Sequence, residues 1–419
     1  MTKKNSRRHT QTQGILIIGG GILQIPALQK AKELGLITYL TDGSKKCAAR
    51  NFSDYFFQID TKDINKNIEL AKKLKRGDKI KGVYTQGTDV EYTVACAANA
   101  ANLPGISSSS ALSCNNKVIM RKKLLKAGFK KPKFAPAGNF EQFKSAIQKV
   151  GFPCYVKPVD NSASRGITRL TNNKNLETIF NNAINLSFHS KEVIVETEIE
   201  GEEYSIDTVI YNGKLYPAGI SDRAFLKKEK YAIQSGSRTP SLLPSETQKK
   251  MYLVMEQAAK ALGIDNGAFK GDLAVDKEGN VEIIEVTART SGGFDSQYRK
   301  PLSFGIDIMK ATIDIALGNP LDPTDLVPKW IKWSSTISTF PNPGVVKKVS
   351  GLEELRKTKG VARVFILCKI GDKIEPYVHS AQRTNFIICY ADTLEKLIKL
   401  EKKVVNTLKI ITTNKKNEK

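Results

Sequence analysis

The chain has 419 residues, long enough for about three domains, and its 40% hydrophobic and 26% charged content is ordinary for a soluble globular protein. Lysine and arginine (66) exceed aspartate and glutamate (42), giving a net charge of +24. The excess is spread over terminal runs and helical stretches such as Lys72-Lys73-Leu74-Lys75-Arg76, with no aromatic platforms between. That argues against a nucleic-acid groove and for a cationic surface that attracts anionic small molecules.

Residues 1–13 read as a disordered basic tail. Ile15-Leu-Ile-Ile18 then predicts a buried strand running into Gly19-Gly20-Gly21, which breaks the apolar run too early for a signal peptide. Pro26 to Gly35 reads as a helix and Ile37 to Asp42 as a second strand, a βαβ unit of the doubly wound kind. The three glycines lack the GxGxxG spacing, so a dinucleotide site is not favoured. Alternation continues with a helix from Thr61 to Arg76, a strand at Gly82 to Gln86, and a helix from Asp89 to Ala101. Thr85, Gln86, Gly87 and Asp89 fall at the carboxyl edge of the sheet, where open α/β folds bind ligands. Helix capping by Thr88 or Asp89 is the plainer alternative.

Lys117 opens a basic helix to Ala127, and Gly151 to Pro158 predicts a strand carrying Lys157. The small-residue loop Asp160 to Gly166 follows, suited to close approach of backbone N–H groups to an anion. Glu192 to Glu196 predicts a strand, Asn212-Gly213 the turn of a hairpin, and Ser245 to Leu262 a long helix. The stretch Gly271 to Gly293 reads as two strands joined by Lys277-Glu-Gly-Asn280. Symmetric closure about the Glu278–Gly279 bond sets Asp276 opposite Val281 and Asp272 opposite Glu285. Ile283, Glu285, Thr287 and Arg289 then share one face. Like charges opposed in a sheet repel, so the pair points to a cation between them; incidental acids on a solvated hairpin are the alternative. Strands at Ala362 to Leu367 and Asn385 to Tyr390 and a helix from Thr393 to Leu408 close the chain. His379 to Thr384 between those strands could close over the site, with a surface hairpin tip as the plainer expectation. Six scattered cysteines without a CxxC pair argue against zinc and redox motifs and suit a cytoplasmic protein, and no apolar run reaches membrane-span length.

In this order and spacing the motifs resemble the ATP-grasp superfamily, over roughly residues 14 to 410. The resemblance implies an α/β fold with an N-terminal doubly wound parallel-sheet domain (residues 14–115), a two-lobed α+β grasp domain (116–320) and a small C-terminal α/β domain (321–419). It implies that Lys117 and Lys157 touch the phosphates of ATP and that Ser162, Ser164, Arg165 and Gly166 belong to the loop closing over them. Glu196, Thr197 and Ile199 would line the adenine-reading hinge, and Glu203 would hold the ribose. Asp272 and Glu285 would be ligands of Mg²⁺ (or Mn²⁺), and Arg289 would stand by the transferred phosphate. Thr287 occupies a position where the family usually has asparagine as a further metal ligand.

The chemistry implied is phosphorylation of a carboxylate to an acyl phosphate, then displacement of phosphate by an amine, with small-molecule partners and no membrane. A homodimer is left open. A bicarbonate-using carboxylase is the enzymatic alternative, although neither His189 nor His379 stands where its base is expected. A non-catalytic nucleotide- or nucleic-acid-binding protein is the other. Arg223, Arg238, Ser291 to Gly293 and Asp295 are further candidates for substrate contact, with solvated arginines and a turn with a helix cap as the alternatives.

Overall fold

The computed structural model describes residues 13–226 and 231–413, so all but the last residue of the expected basic tail lies outside the described residues. Ile15, Leu16, Ile17 and Ile18 are fully buried, as a continuous apolar strand covered on both faces must be. They lie in a parallel four-stranded sheet in the order Tyr55–Gln58, Ile37–Asp42, Gly14–Ile18, Gly82–Tyr84. The order reverses between the last two strands, and Gly19 to Gly21 and Thr85 to Gly87 leave the sheet at that switch point. Asp42 accepts the N–H groups of Gly20 and Ser44, both at 2.8 Å, so this acid braces the glycine turn and does not await a ribose. The third helix, Glu91–Ala100, has no side-chain cap, so neither Thr88 nor Asp89 caps it.

A second, antiparallel sheet runs Phe134–Ala137, Val193–Thr197, Cys154–Pro158, Thr168–Leu170. Helices Phe140–Val150 and Leu176–Asn185 cover it through Phe143, Ile147, Ile179 and Phe180. The largest sheet has eight antiparallel strands in the order Val281–Thr287, Gly267–Val275, Glu202–Tyr211, Lys214–Leu226, Ile233–Thr239, Trp333–Ile337, Asn385–Ala391, Val361–Ile366. Its last three strands come from beyond residue 320, so the C-terminal segment extends the same sheet. Helix Ser245–Leu262 buries Met251, Met255, Ala258 and Leu262 against Phe269, Leu273 and Ile283, and ends on Gly263 in the left-handed region at φ +77°. Asn212 and Gly213, at φ +50° and +74°, form the expected two-residue hairpin turn. Among the described residues no helix is long and apolar enough to cross a membrane.

The hairpin of strands Gly267–Val275 and Val281–Thr287 differs from symmetric closure in one respect. Asp272 faces Glu285 as expected, but the register shifts between Asp272 and Leu273, so Leu273 faces Ile283 and Val275, not Asp276, faces Val281. Asp276 instead closes the turn, its carboxylate accepting the N–H groups of Glu278 and Asn280. A bulge gives one strand an extra residue and breaks the alternation of faces. Ile283 therefore joins the core while Ile284 and Glu285 both reach the other side, which corrects the expectation that Ile283 and Glu285 share a face.

Candidate functional site

A cavity of about 300 Å³ opens where the switch point of the parallel sheet meets the two antiparallel sheets. Eleven expected residues line it: Lys117, Lys157, Ser162, Ser164, Glu196, Thr197, Ile199, Glu203, Asp272, Glu285 and Arg289. Arg165 and Thr287 line an adjoining cavity of about 330 Å³, together with Asp89, Glu91, Lys117 and Glu285. Gly166 lines neither; at φ +73° it turns the chain where a Cβ would meet Pro158 Cγ at 2.8 Å.

The two opposed acids are held apart by basic neighbours. Asp272 binds Lys270 Nζ at 2.5 Å and Arg223 Nη1 at 3.4 Å, and Glu285 binds Lys117 Nζ at 2.7 Å. Arg223 also donates to Glu203 at 2.7 Å. Burial would raise the Asp272 carboxyl, but Arg223 and Lys270 outweigh it and hold it below the usual carboxylate range. Glu203 goes the other way: burial raises it against the pull of Arg223. For Lys117 burial lowers, but Glu285 and Asp89 prevail and the ammonium is stabilised. Three carboxylates and three cations thus stand in two adjoining groups at the wall of a cavity, where they can rearrange around a charged ligand.

Glu196 is turned inward. Its carboxylate accepts from Arg121 Nε and Lys157 Nζ, both at 2.6 Å; against the cost of burial these two cations bring it down to about 2. The side chain therefore fixes Lys157 and does not reach into the cavity as a free acceptor. Arg121 also donates to the carbonyls of Ile283 and Ile284 at 2.8 and 2.5 Å, tying the smaller antiparallel sheet to the strand of Glu285. Arg121 was missed in the sequence; its signal is the spacing of four from Lys117 on one helix, which places both on the same face.

The loop after Lys157 is anchored at its base and turned at its tip. Asp160 accepts the N–H groups of Phe188, His189 and Ser190 at 2.7 to 2.9 Å, while Ala163 and Ser164 adopt φ +55° and +60°. The N–H groups of Arg165 and Ile167 return to the carbonyls of Ser162 and Ser164, so the tip is a tight turn beside the cavity.

Arg289 pairs with Asp89, so Asp89 joins the N-terminal sheet to the site. Beside them Glu91 is 3% exposed, and neither of its carboxylate oxygens has a hydrogen-bond partner. Burial and then the charge of Asp89 push it up to about 7. Three further candidates are placed as follows. Arg238 lies outside the cavity, bidentate to Glu401 at 2.9 and 2.5 Å. Asp295 lines the wall but is sealed against Arg299 at 2.7 Å. The segment expected as a surface hairpin tip brings Ser380 and Arg383 into the cavity, while His379 stays out of it.

Comparison with known proteins bears on the fold. Residues 150–297 match the ATP-grasp domain and residues 337–413 match the L-amino acid ligase C-terminal domain 2. An uncharacterized protein of Sinorhizobium fredii is 23% identical over 80% of this chain and 69% of its own length. The alanine–anticapsin ligase of Bacillus subtilis strain 168 is 25% identical over 59% of this chain and 57% of its own length, so the match spans little more than half of that ligase. Among solved structures, an L-amino acid ligase from Bacillus licheniformis superposes with a TM-score of 0.84 at 24% identity, covering 96% of this chain and 99% of that one. Phosphoribosylglycinamide synthetase from Anaerococcus prevotii superposes at 0.74 with 22% identity, covering 96% and 100%. These likenesses establish the fold.

Proposed function

We propose that this chain, which carries an ATP-grasp domain, is an ATP-dependent ligase that phosphorylates a carboxylate and joins the acyl group to an amine. The observation that carries the reading is Asp272 opposite Glu285 at a cavity wall that also presents Lys117, Lys157 and Arg289. The matches to L-amino acid ligases favour amino acids as both substrates, with a peptide-like product.

Asp272 and Glu285 offer the hard oxygen ligands that Mg²⁺ or Mn²⁺ prefers when it shares its coordination with substrate phosphates. Thr287 Oγ1, buried and without a hydrogen-bond partner, faces the same adjoining cavity as Glu285 and suits a bound ion's water. The ion would supply charge neutralisation at the phosphates. The remaining work falls to the chain itself. Lys117 and Lys157 stand beside the triphosphate as fixed cations, Glu203 holds the ribose, and Arg289 meets the charge that builds on the transferred phosphoryl group.

The substrate carboxylate attacks the γ-phosphorus as the bond to the β-phosphate oxygen breaks, and ADP leaves. The amine then attacks the acyl carbon, phosphate departs, and the amine proton passes to solvent. Closure of the loop Ser162 to Gly166 keeps water from the acyl phosphate, whose hydrolysis would otherwise waste ATP.

Phosphate release from Mg-ATP, measured over a panel of single and paired amino acids, tests the proposal. Release that needs a carboxylate together with an amine, and that Glu285→Gln abolishes, is expected. Release with bicarbonate alone would replace it by the carboxylase reading.

A further inference from the structure

The six carboxylates of the main cavity lining each hold a basic partner, and six of its seven basic residues are matched in return. The seventh is Arg383. It makes no ion pair among the described residues; its Nε donates to the carbonyl of Ser380 at 2.9 Å, and Nη1 and Nη2 have no hydrogen-bond acceptor there.

Its position is nonetheless built. The guanidinium lies 4.6 Å from the ring centre of Phe386, which packs edge-on against the buried Phe294 at 5.4 Å. Ser380 Oγ accepts the N–H of Gln234 at 3.1 Å, fastening the same turn to the neighbouring strand. Arg223 lines the cavity too, with its charge already shared between Glu203 and Asp272. Burial and then repulsion from Arg223 bring Arg383 down to about 10. A half-buried guanidinium without a counter-charge has lost part of its hydration, and a bound anion offsets that loss. Its planar fork matches phosphate and carboxylate alike.

We infer that Arg383, together with Arg223, forms an oxyanion subsite of the cavity, completed by the C-terminal segment. It takes either a phosphate group of the bound nucleotide or a substrate carboxylate that is not itself phosphorylated. This deepens the ligase reading and rests on it for the identity of the two sources.

The test uses the full chain with its residue unaltered, with Arg383→Met, and with Arg383→Lys, which keeps the charge and loses the fork. Calorimetric titrations with Mg-ADP and a non-hydrolysable Mg-ATP analogue are set beside KM for each substrate. A tenfold or greater loss of analogue affinity in Arg383→Met, with ADP unchanged, supports the subsite and assigns the anion to the terminal phosphate. Unchanged nucleotide affinity with a tenfold rise in KM for one substrate supports it and assigns the anion to a carboxylate; the amide of that substrate should then bind all three proteins equally. Partial recovery in Arg383→Lys accompanies either. Unchanged affinities and KM values in folded Arg383→Met overturn the inference. If the unaltered chain binds no nucleotide, the ligase reading fails instead. Inorganic pyrophosphate then serves as the probe, and Arg383-dependent binding supports the subsite while its absence overturns it.

Discussion

Two clusters of buried charge share the eight-stranded sheet and its flanking turn, and they have been put to different uses. In the first, Lys300 binds Asp207 at 3.1 Å and the carbonyl of Gly219 at 2.5 Å, while Arg299 binds Asp295; their side chains are 0 to 3% exposed. In the second, Asp272, Glu285 and Glu203 meet Lys270, Lys117 and Arg223 with side chains 7 to 30% exposed. Each cluster is charge-balanced. Asp295 and Arg299 of the first also border the cavity, but only the second leaves its acids accessible there, where an incoming phosphate and cation can exchange partners with them. Ion pairing alone therefore does not mark a site; access to the pair does.

Removing one partner from the sealed cluster should be the most damaging change. Lys300→Met leaves Asp207 buried and uncompensated, and chemical denaturation should show a loss of about 3–5 kcal/mol. The open cluster should respond in activity, not stability. Glu285→Gln is expected to lower ATP turnover on the order of 100-fold or more while the melting temperature moves little, because Lys117 keeps its contact with the carbonyl of Asn161 at 2.8 Å. A large fall in melting temperature with turnover intact would erase the distinction between the clusters.

Glu91 sharpens the comparison, since it is buried beside the open cluster yet unpaired. Its carboxyl is raised in the folded state, from 4.5 to about 7, so the folded chain holds a proton that the unfolded chain releases. Its contribution is fully present below pH 4.5 and is lost as pH rises to 7 and beyond, by roughly 3 kcal/mol. Glu91→Gln should flatten that decline in denaturation curves taken across pH 4 to 8; an unchanged slope would mean that Glu91 finds a partner in solution. Glu196 has the opposite sign. Lowered to about 2, it stabilises fully above pH 4.5, and that stability is lost as pH falls toward 2. The smallest effect belongs to Arg238, half-exposed on Glu401. Arg238→Ala should cost about 0.2–1 kcal/mol and leave both substrate KM values unchanged.

Much of the site was legible because its residues sit on strands and helix starts whose local pattern is strong. Asn116 caps the helix that Lys117 opens, Ser245 to Leu262 is helical to the residue, and Asp272 faces Glu285. The last agreement was partly fortunate, since the bulge beside Asp272 displaces every pair nearer the turn and symmetric closure holds only from Asp272 outward. What stayed hidden depends on contacts distant in sequence. Arg121 reaches Ile283 from 162 positions away, Arg238 reaches Glu401 from 163, and Asp89 meets Arg289 from 200. Arg383 looked like a hairpin tip because a short polar segment between strands usually is one. The packing of Phe386 on Phe294 and the bond from Gln234 to Ser380, both distant in sequence, hold it at the cavity.

The central claim is that a carboxylate is activated through an acyl phosphate at the Asp272–Glu285 wall. The most direct measurement is the fate of oxygen. With a carboxylate substrate from the productive panel labelled with ¹⁸O, mass spectrometry of the released phosphate should find one labelled oxygen per product formed. Unlabelled phosphate alongside normal product would contradict the account, because the carboxylate oxygen would then never have been bonded to phosphorus.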